Sequence, residues 1–573
     1  MTTKRWIYRK PLSESQLTQA QALAQAINVN PFLGQLLVQR DITTFDEAKA
    51  FFRPSLTHLH DPFLMQDMDK AVARLLQAFE HQEKILVYGD YDVDGATSVS
   101  VFYGFLKKYY PHLEYYIPDR YAEGYGVSWQ GIDYAADNGF TLIVTLDCGI
   151  KSADKVAAAQ TRGIDFVICD HHRPDHAHFP PAVAVLDPKR EDCAYPYKEL
   201  TGCGVGFKLL QALCSQGFGD EATLLQELDL LVVSIAADIV HITGENRVLA
   251  TFGLQRLNTR QRIGLKALIE VAGFKSDLDV TNVVFGLAPR INAAGRIAHA
   301  KAAVKLLLSD NEEEAKAFAE DINKHNSERR TFDTSITDEA LSMIRDDEWM
   351  RHANSTVLYK EDWHKGVVGI VASRCIEHFH RPTIILTNSH GKAAGSARSV
   401  PGFDVYDAIE ACSDLLEQFG GHTFAAGLSL PVENVPAFRL KFDEIVRQNI
   451  QPEQLTPLID IDMDLELAAI NPKFFGIVKQ MSPFGPANMT PVFATHGVQM
   501  TGTPTIMKEK HLKLEVYQPT PQGAVKFTAV GFGMSYLYPQ LVSGKPFSIA
   551  YTIEENTFRD QTTLQLYLKD VKF

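Results

Sequence analysis

The stretch Ile85-Leu-Val-Tyr-Gly-Asp-Tyr-Asp-Val-Asp-Gly-Ala96 places three carboxylates, Asp90, Asp92 and Asp94, in one turn directly after an apolar, β-type run. Like charges packed this closely repel, and a cation that neutralises them removes the conflict, as in two-metal phosphoryl-transfer sites. The ordinary alternative is a solvated Asp-rich turn before a helix N-terminus, where Asp is common. Asp170-His171-His172 adds two histidines directly after another strand-like run. Imidazole nitrogen is a ligand that Mn²⁺ tolerates and all-oxygen Mg²⁺ cages seldom use.

The elements that must position these groups follow from the pattern around them. Between Lys84 and Asp187 short β-branched runs alternate with helical segments, which predicts βαβ units around a mostly parallel sheet. Each run stops at an acid: 85–88 leads to Asp90, 141–146 to Asp147, 165–169 to Asp170 and 182–186 to Asp187. In open α/β sheets ligands bind outside the carboxyl ends of the strands, so these acids converge on one crevice. Asp187, followed by Pro188, reads more as a turn than as a ligand. The segment from Ala96 to Tyr110 has helical pattern, with its N-terminus at the acidic turn. A second apolar helix is expected over 224–240, with Asp238 near its end either as an isolated helix-end acid or as a distant ligand returning to the cluster.

Downstream, the helical and charged stretch between Leu265 and Arg345 lacks Pro and Gly over 311–330 and reads as a long connecting helix. Its charge run is read as a solvated face, in which Lys324, Arg329 and Arg330 are the members able to face a backbone groove. A second α/β unit follows over 355–448, with strands at 356–359 and 383–386 and glycine-rich segments at 366–374, 395–399 and 420–427. Backbone amides bared by missing side chains near helix starts suit phosphate, although tight packing is the ordinary reason for such glycines. From Leu455 to Phe573 five short strands predict a small β-barrel of OB type. Lys508, Lys510, His511 and Lys513, with Tyr517 and Phe527, supply the cations and aromatic faces that grip single strands, unless the rings fill the barrel core.

Composition sets the outer limits. At 573 residues the chain is too long for one core, and its 45% hydrophobic and 22% charged residues are ordinary for a globular protein. Seven cysteines without CxxC spacing indicate neither a disulfide framework nor a structural zinc site, which fits a reducing cytoplasm. The polar, basic start, Met1 to Lys10, has no signal-peptide pattern, and no apolar run is long enough to span a bilayer. The net charge of −14 argues against a generic basic nucleic-acid coat, yet acid clusters that hold divalent cations contribute to it, so a phosphodiester substrate stays open.

Taken together, the motifs resemble the DHH phosphoesterase superfamily and, within it, the RecJ single-strand-specific 5′→3′ exonucleases. In chain order these are Gly89 to Gly95, Leu146-Asp-Cys-Gly149, Asp170-His-His172, Ala236-Ala-Asp238, Arg290 to Arg296, Trp363-His-Lys-Gly366 through Ser373-Arg374, Gly395 to Ser399, Gly420-Gly-His422 and Ser482-Pro-Phe-Gly-Pro486. The resemblance implies two α/β domains, of DHH type (61–264) and DHHA1 type (346–452), joined by a helical region (265–345). A helical or extended segment (1–60) would precede them and an OB-fold-like domain (453–573) follow. It implies Asp90, Asp92, Asp94, Asp147, His171 and Asp238 as ligands of two Mn²⁺ or Mg²⁺ ions, with Asp147 bridging. Smaller family members carry a histidine four residues before the position of Asp92; Tyr88 stands there, so Asp90 is inferred to complete the first site. His172 would lie beside the scissile phosphate as donor or charge stabiliser, with Asp170 orienting a histidine ring. Arg120, Arg296, Ser396 and Arg398 would surround the terminal phosphate, and His422 would line the second domain's face of the cleft. Arg374 is read either as one of that set or as a helix-surface residue.

The implied activity is metal-dependent, processive hydrolysis of single-stranded DNA from the 5′ end to mononucleotides, in repair and recombination. A monomer is expected, and a single-strand-binding protein and a helicase are the protein partners left open. The Pro486-Ala-Asn-Met-Thr-Pro491 segment departs from the family's usual Gly-Asn-Pro type continuation. Two other readings are weighed: a DHH enzyme of small phosphodiesters, which would not need the barrel, and an inert scaffold, which would have lost its ligands.

Overall fold

A computed structural model of the chain describes residues 4–9, 11–175, 178–259, 261–297, 299–520, 523–559 and 561–573. Residues 1–3 and Lys10 of the polar N-terminal stretch lie outside these. Five strands, β1 (Ile85–Gly89), β2 (Leu113–Tyr116), β3 (Leu142–Leu146), β4 (Asp165–Cys169) and β5 (Ala184–Leu186), form an all-parallel sheet in the order β2-β1-β3-β4-β5. Alternation along β1 explains why the sheet is central: Ile85 and Val87 pack into the core on one face, Leu86 and Tyr88 into the core on the other. Because all five strands run the same way, the residues after β1, β3 and β4 emerge along one edge.

Helix α1 (Val93–Leu106) follows β1 and begins three residues before the expected Ala96, because the Asp92 side chain accepts the Gly95 N–H at 3.0 Å and caps the helix there. Asp94 is thereby drawn into the first helical turn. Two further helices complete the wall, α2 (Gly202–Ser215) and α3 (Leu228–Ala237), the latter capped at its C-terminus by Asp238. The apolar stretch expected to be one helix over 224–240 is thus divided, with a separate turn before Leu228.

Helix α4 (Ala288–Ile297) leads to the connecting helix α5 (Glu312–Asp346), 35 residues and about 50 Å long. Ala315, Ala319 and Ile322 of α5 belong to the core of the first α/β unit, whereas Ile336, Ala340, Leu341 and Ile344 pack with Val367, Val371 and Ile385 of the second. One rigid rod therefore spaces two separately cored domains. The second unit comprises helix α6 (Val368–Phe379) and a five-stranded mixed sheet, with strands β6 (Thr356–Tyr359), β7 (Thr383–Ser389), β8 (Lys392–Arg398), β9 (Gln418–His422) and β10 (Ala425–Leu430). Their order is β9-β10-β8-β7-β6, parallel only between β6 and β7. Of the three glycine-rich segments only 366–374 opens a helix; the other two are strands. A Cβ on Gly395 would lie 1.9 Å from the Ile385 carbonyl oxygen, so packing accounts for that glycine.

The C-terminal strands β11 (Phe493–Met507), β12 (His511–Thr520), β13 (Gly523–Gly531), β14 (Phe547–Phe558) and β15 (Gln561–Lys572) close a five-stranded barrel in the order β11-β12-β13-β15-β14-β11, the topology of an OB-fold. Its core is shared with the far end of the chain: Leu23, Leu33, Leu36 and Leu37 of two N-terminal helices pack with Phe474, Phe493, Val516 and Tyr551. Strand Arg5–Tyr8 also pairs in parallel with Leu458–Ile461. Arg247 locks the barrel to the first domain, donating to the carbonyls of Phe51, Met481 and Ser482 at 2.9–3.0 Å. Among the described residues no helix is long and apolar enough to cross a membrane.

Sharing one core makes the N-terminal helices part of the barrel's stability. Leu36→Ala, at a fully buried position, is expected to cost about 2–5 kcal/mol and to raise amide exchange in β11 and β14. Barrel protection unchanged from the wild type would contradict this packing.

Candidate active site

Five carboxylates and a histidine meet at the carboxyl edge of the first sheet. Asp147 leaves β3 in the left-handed region, with φ of 60°, which turns its side chain back over the sheet edge. Gly202 at the start of α2 packs against it so tightly that a Cβ there would lie 2.4 Å from the Asp147 Cβ. Asp94 sits at the N-terminus of α2, accepting the Gly202 and Cys203 N–H groups at 2.7 and 3.1 Å and the Ser234 hydroxyl at 2.7 Å. The His171 Nε2 lies 3.2 Å from Asp147, 3.6 Å from Asp238 and 3.9 Å from Asp94.

Donor atoms fall into sets that lie within 4.8 Å of one another: Asp90, Asp92 and Asp147; Asp94, His171 and Asp238; and Asp147, His171 and His172. The electrostatics show what is missing from these sets. Burial raises the carboxyls of Asp90, Asp92, Asp147 and Asp238 above their ordinary range, and the neighbouring carboxylates raise each further. Asp90 Oδ1, Asp147 Oδ1 and both His171 ring nitrogens are buried without a hydrogen-bond partner. Burial also pushes His171 down to about 4, so its ring is neutral and its lone pair free at pH 7. Orphaned acceptors, mutually destabilised anions and a neutral imidazole fit a divalent-cation site with mixed O/N donors.

His172 differs from its neighbour. Its Nδ1 lies 2.8 Å from Asp170 Oδ1, and although burial works against the charged ring, that partner raises it to about 9. Burial would raise the Asp170 carboxyl, but the His172 hydrogen bond and charge and the Ile150 N–H keep it well below the ordinary range. His172 is therefore an imidazolium held beside the acid cluster. The Tyr125 hydroxyl, 3.2 Å from that ring and from the Asp147 carbonyl oxygen, braces it from the loop after β2. Sequence reasoning missed Tyr125; the available signal was the position of its Gly-flanked loop after a parallel strand.

Other expected residues take distinct places. Tyr88 is fully buried in the sheet core, with its hydroxyl on the Gly126 carbonyl and Ser128, and so is turned away from the acids. Asp187 caps its own turn through the Lys189 N–H and is pushed up to about 7 by burial. Arg120 stacks on Tyr91, 4.8 Å from the ring centre, Arg296 donates to the Gly366 carbonyl at 2.9 Å, and Arg398 donates to Ser396 at 2.6 Å. Gly369 in the first turn of α6 faces Arg398 and Ser396, where a Cβ would lie 2.7 and 3.2 Å away. Burial pushes Arg296 down to about 10, and Arg120, Arg329 and Arg398 push it the same way; Arg398 is lowered by burial and by Arg120. His422 is exposed at the end of β9, and the strand register places it beside Ala425 and then Arg398 at the same end of the sheet. Arg374 is engaged elsewhere, its guanidinium binding Asp333 of α5 at 2.8 and 2.9 Å. On the barrel, Phe532 stacks on Tyr567 and meets His511 at a tilt of 53°, both with centroids 4.9 Å apart, while Phe527 packs against the core.

An acid and histidine cluster at the edge of a parallel sheet, facing a second α/β unit across a helical spacer, is the arrangement of the DHH proteins. Residues 84–235 match the family model "DHH family, N-terminal domain", 352–448 "DHHA1 domain" and 461–570 "RecJ OB domain". The chain belongs to the RecJ family. It is 36% identical, over 99% of its own length and 70% of the relative's, to the single-stranded-DNA-specific exonuclease RecJ of Bacillus subtilis. To the Escherichia coli protein of the same name it is 33% identical, over 94% and 96% of the two chains. The crystal structure of RecJ in complex with Mn²⁺ from Thermus thermophilus is similar, with a TM-score of 0.83 at 25% identity over 99% of this chain and 79% of that one.

Asp147→Asn tests the cation reading without requiring activity, since Asn tolerates the left-handed backbone. Relief of repulsion is expected to raise the melting temperature of the metal-free protein by about 2–4 °C. The same change removes most of the wild-type gain with Mn²⁺, about 2.7 kcal/mol at a hundredfold excess over Kd. A full Mn²⁺ gain in the variant would contradict the site.

Proposed function

We propose that the protein hydrolyses single-stranded DNA processively from the 5′ end to mononucleotides, using two Mn²⁺ or Mg²⁺ ions. The observation that carries this reading is the presence of two unlike charge clusters: buried carboxylates that raise one another in the first, and Arg120, Arg296 and Arg398 drawn together with Ser396 at a helix N-terminus in the second. A strand with a terminal phosphate complements both. Asp90, Asp92 and Asp147 would hold one ion, and Asp94, His171 and Asp238, with Asp147, the other. The ions, when bound, supply an activated water and neutralise charge developing on the phosphate oxygens.

The protein's own groups set up the rest. Arg120, Arg296 and Arg398 grip the terminal phosphate with guanidinium forks and stop the strand from threading further, which gives exonucleolytic rather than internal cutting. His172, kept cationic by Asp170 and braced by Tyr125, donates to a phosphate oxygen as negative charge grows. His422 closes the pocket from the second domain. The cleft between the two α/β units admits one strand and excludes a duplex, and the ring stack on the barrel holds the outgoing strand. The names of the relatives support single-stranded DNA as substrate; the 5′ polarity rests on the phosphate pocket and on family resemblance. The same resemblance supports a monomer acting in the cytoplasm in repair and recombination.

His172→Ala is expected to lower kcat about 10²–10³-fold with little change in KM, whereas Arg398→Ala raises KM for 5′-phosphorylated strands. EDTA is expected to abolish cleavage by the wild type and by both variants. Consumption of dinucleotides with no shortening of long single strands would favour a small-phosphodiester enzyme instead.

A further inference from the structure

The Trp363-His-Lys-Gly366 segment supplies none of the donors at the acid cluster and none of the pocket arginines, yet three groups crowd its last residue. A Cβ on Gly366 would lie 2.6 Å from the Tyr121 hydroxyl, 2.9 Å from the His364 ring and 3.0 Å from the Arg296 carbonyl oxygen. The φ of Gly366 is not positive, so close approach, and not backbone conformation, accounts for the glycine. Tyr121 belongs to the first domain, Arg296 to the end of α4 and Gly366 to the second domain. The two α/β units therefore touch at this point.

Tyr121 and Gly366 hold Arg296 at its two ends. The Arg296 carbonyl is in the last turn of α4, among those a helix leaves without an intrahelical donor, and the Tyr121 hydroxyl donates to it at 2.6 Å. The Arg296 guanidinium donates through Nη1 to the Gly366 carbonyl at 2.9 Å, which leaves its other N–H groups for a phosphate. Gly366 is itself fixed, its N–H donating to His364 Nδ1 at 3.1 Å, and the His364 ring stacks on Phe332 of α5 with centroids 5.0 Å apart. On the first domain, Asp119 accepts the Tyr121 and Ala122 N–H groups at 2.8 Å and closes the turn that delivers Arg120 onto Tyr91 and Tyr121 to the seam. Packing does not account for Tyr121, whose side chain is 46% exposed. Its hydroxyl is the part engaged.

We infer that Tyr121 is a positioning residue for the terminal-phosphate pocket: with the Gly366 loop it fixes Arg296 between the domains. The preference for a 5′-phosphorylated over a 5′-hydroxyl end then depends on the Tyr121 hydroxyl and on the bare α-carbon at 366. The physical reason is pre-organisation. An arginine has many rotamers to lose, and a guanidinium ordered before the strand arrives binds it more tightly than one ordered by it. This rests on the exonuclease reading above and specifies how the pocket of that reading is held in shape.

The test uses the full chain with Mn²⁺ and two strands of one sequence, bearing a 5′-phosphate or a 5′-hydroxyl, with kcat and KM read for each. The wild type is expected to prefer the phosphorylated strand. Tyr121→Phe, which keeps the ring, is expected to raise KM for that strand about three- to tenfold, the worth of one hydrogen bond, with little change in kcat and none on the hydroxyl strand. Gly366→Ala is expected to act in the same direction by crowding the Tyr121 hydroxyl and the Arg296 carbonyl. In an Arg296→Ala background, with no guanidinium left to position, adding Tyr121→Phe is expected to change neither strand. No loss in Tyr121→Phe, an equal loss on both strands, or a further loss on top of Arg296→Ala overturns the inference. A wild type that shortens both strands equally well leaves the exonuclease reading standing and overturns this inference alone. If the wild type shortens neither strand, the exonuclease reading itself fails and takes this inference with it.

Discussion

Mutual repulsion among buried carboxylates is the constraint on which the site depends. Asp90, Asp92, Asp94 and Asp147 are placed by the ends of parallel strands and by the first turn of a helix, and Asp238 by the C-terminal end of another, where the helix dipole also disfavours an anion. Left to itself this arrangement is costly, because each acid is desolvated and each raises its neighbours. The fold tolerates it by surrounding the cluster with rigid parts: β3 and β4, the N-terminus of α2 pressed on Asp147 through Gly202, and the backbone donors that fix Asp94. A pre-formed, strained array of this kind gives binding energy back when divalent cations enter.

The second domain carries the opposite imbalance. Its Arg398 meets Arg120 of the first domain and Arg296 of α4 near Ser396 and the start of α6, burial and neighbouring guanidinium charge lower Arg296 and Arg398, and among the described residues no carboxylate forms an ion pair with Arg398. Helix α5, anchored in one core at Ile322 and in the other at Ile336, spaces the two domains, and the Asp333–Arg374 pair ties rod to domain. The chain's overall charge of −14 conceals this arrangement completely, since it sums over a surface while the chemistry depends on two small, unlike patches.

Much of the first domain and its acids was legible in the sequence, for a physical reason. A parallel strand buried on both faces reads as an unbroken apolar run, and the polar residue that ends it can only be at the ligand-binding edge. The long helix was equally plain in a stretch without Pro or Gly. Less legible were features that depend on partners distant in the chain. The apolar faces of the N-terminal helices signal burial, but nothing in them names a barrel more than four hundred residues away as the other half of their core. Arg374 has the composition of a phosphate ligand, and only the folded structure shows its guanidinium taken by Asp333. Glycines at 395 and 420–421 look like phosphate cradles, yet they occupy strands. The difference between His171 and His172 is the clearest case: adjacent, identical side chains become a neutral ligand and a fixed cation because only one of them reaches Asp170.

The central claim, that two cations and one terminal phosphate together balance these opposed clusters, is tested most directly by manganese-edge anomalous diffraction from crystals grown with Mn²⁺ and a non-hydrolysable 5′-phosphorylated single strand. The account predicts two anomalous peaks sharing Asp147, one against Asp90 and Asp92 and the other against Asp94, His171 and Asp238, with the terminal phosphate among Arg120, Arg296, Ser396 and Arg398. A single peak away from Asp147, or a strand whose 5′ phosphate lies outside the arginine pocket, would contradict it.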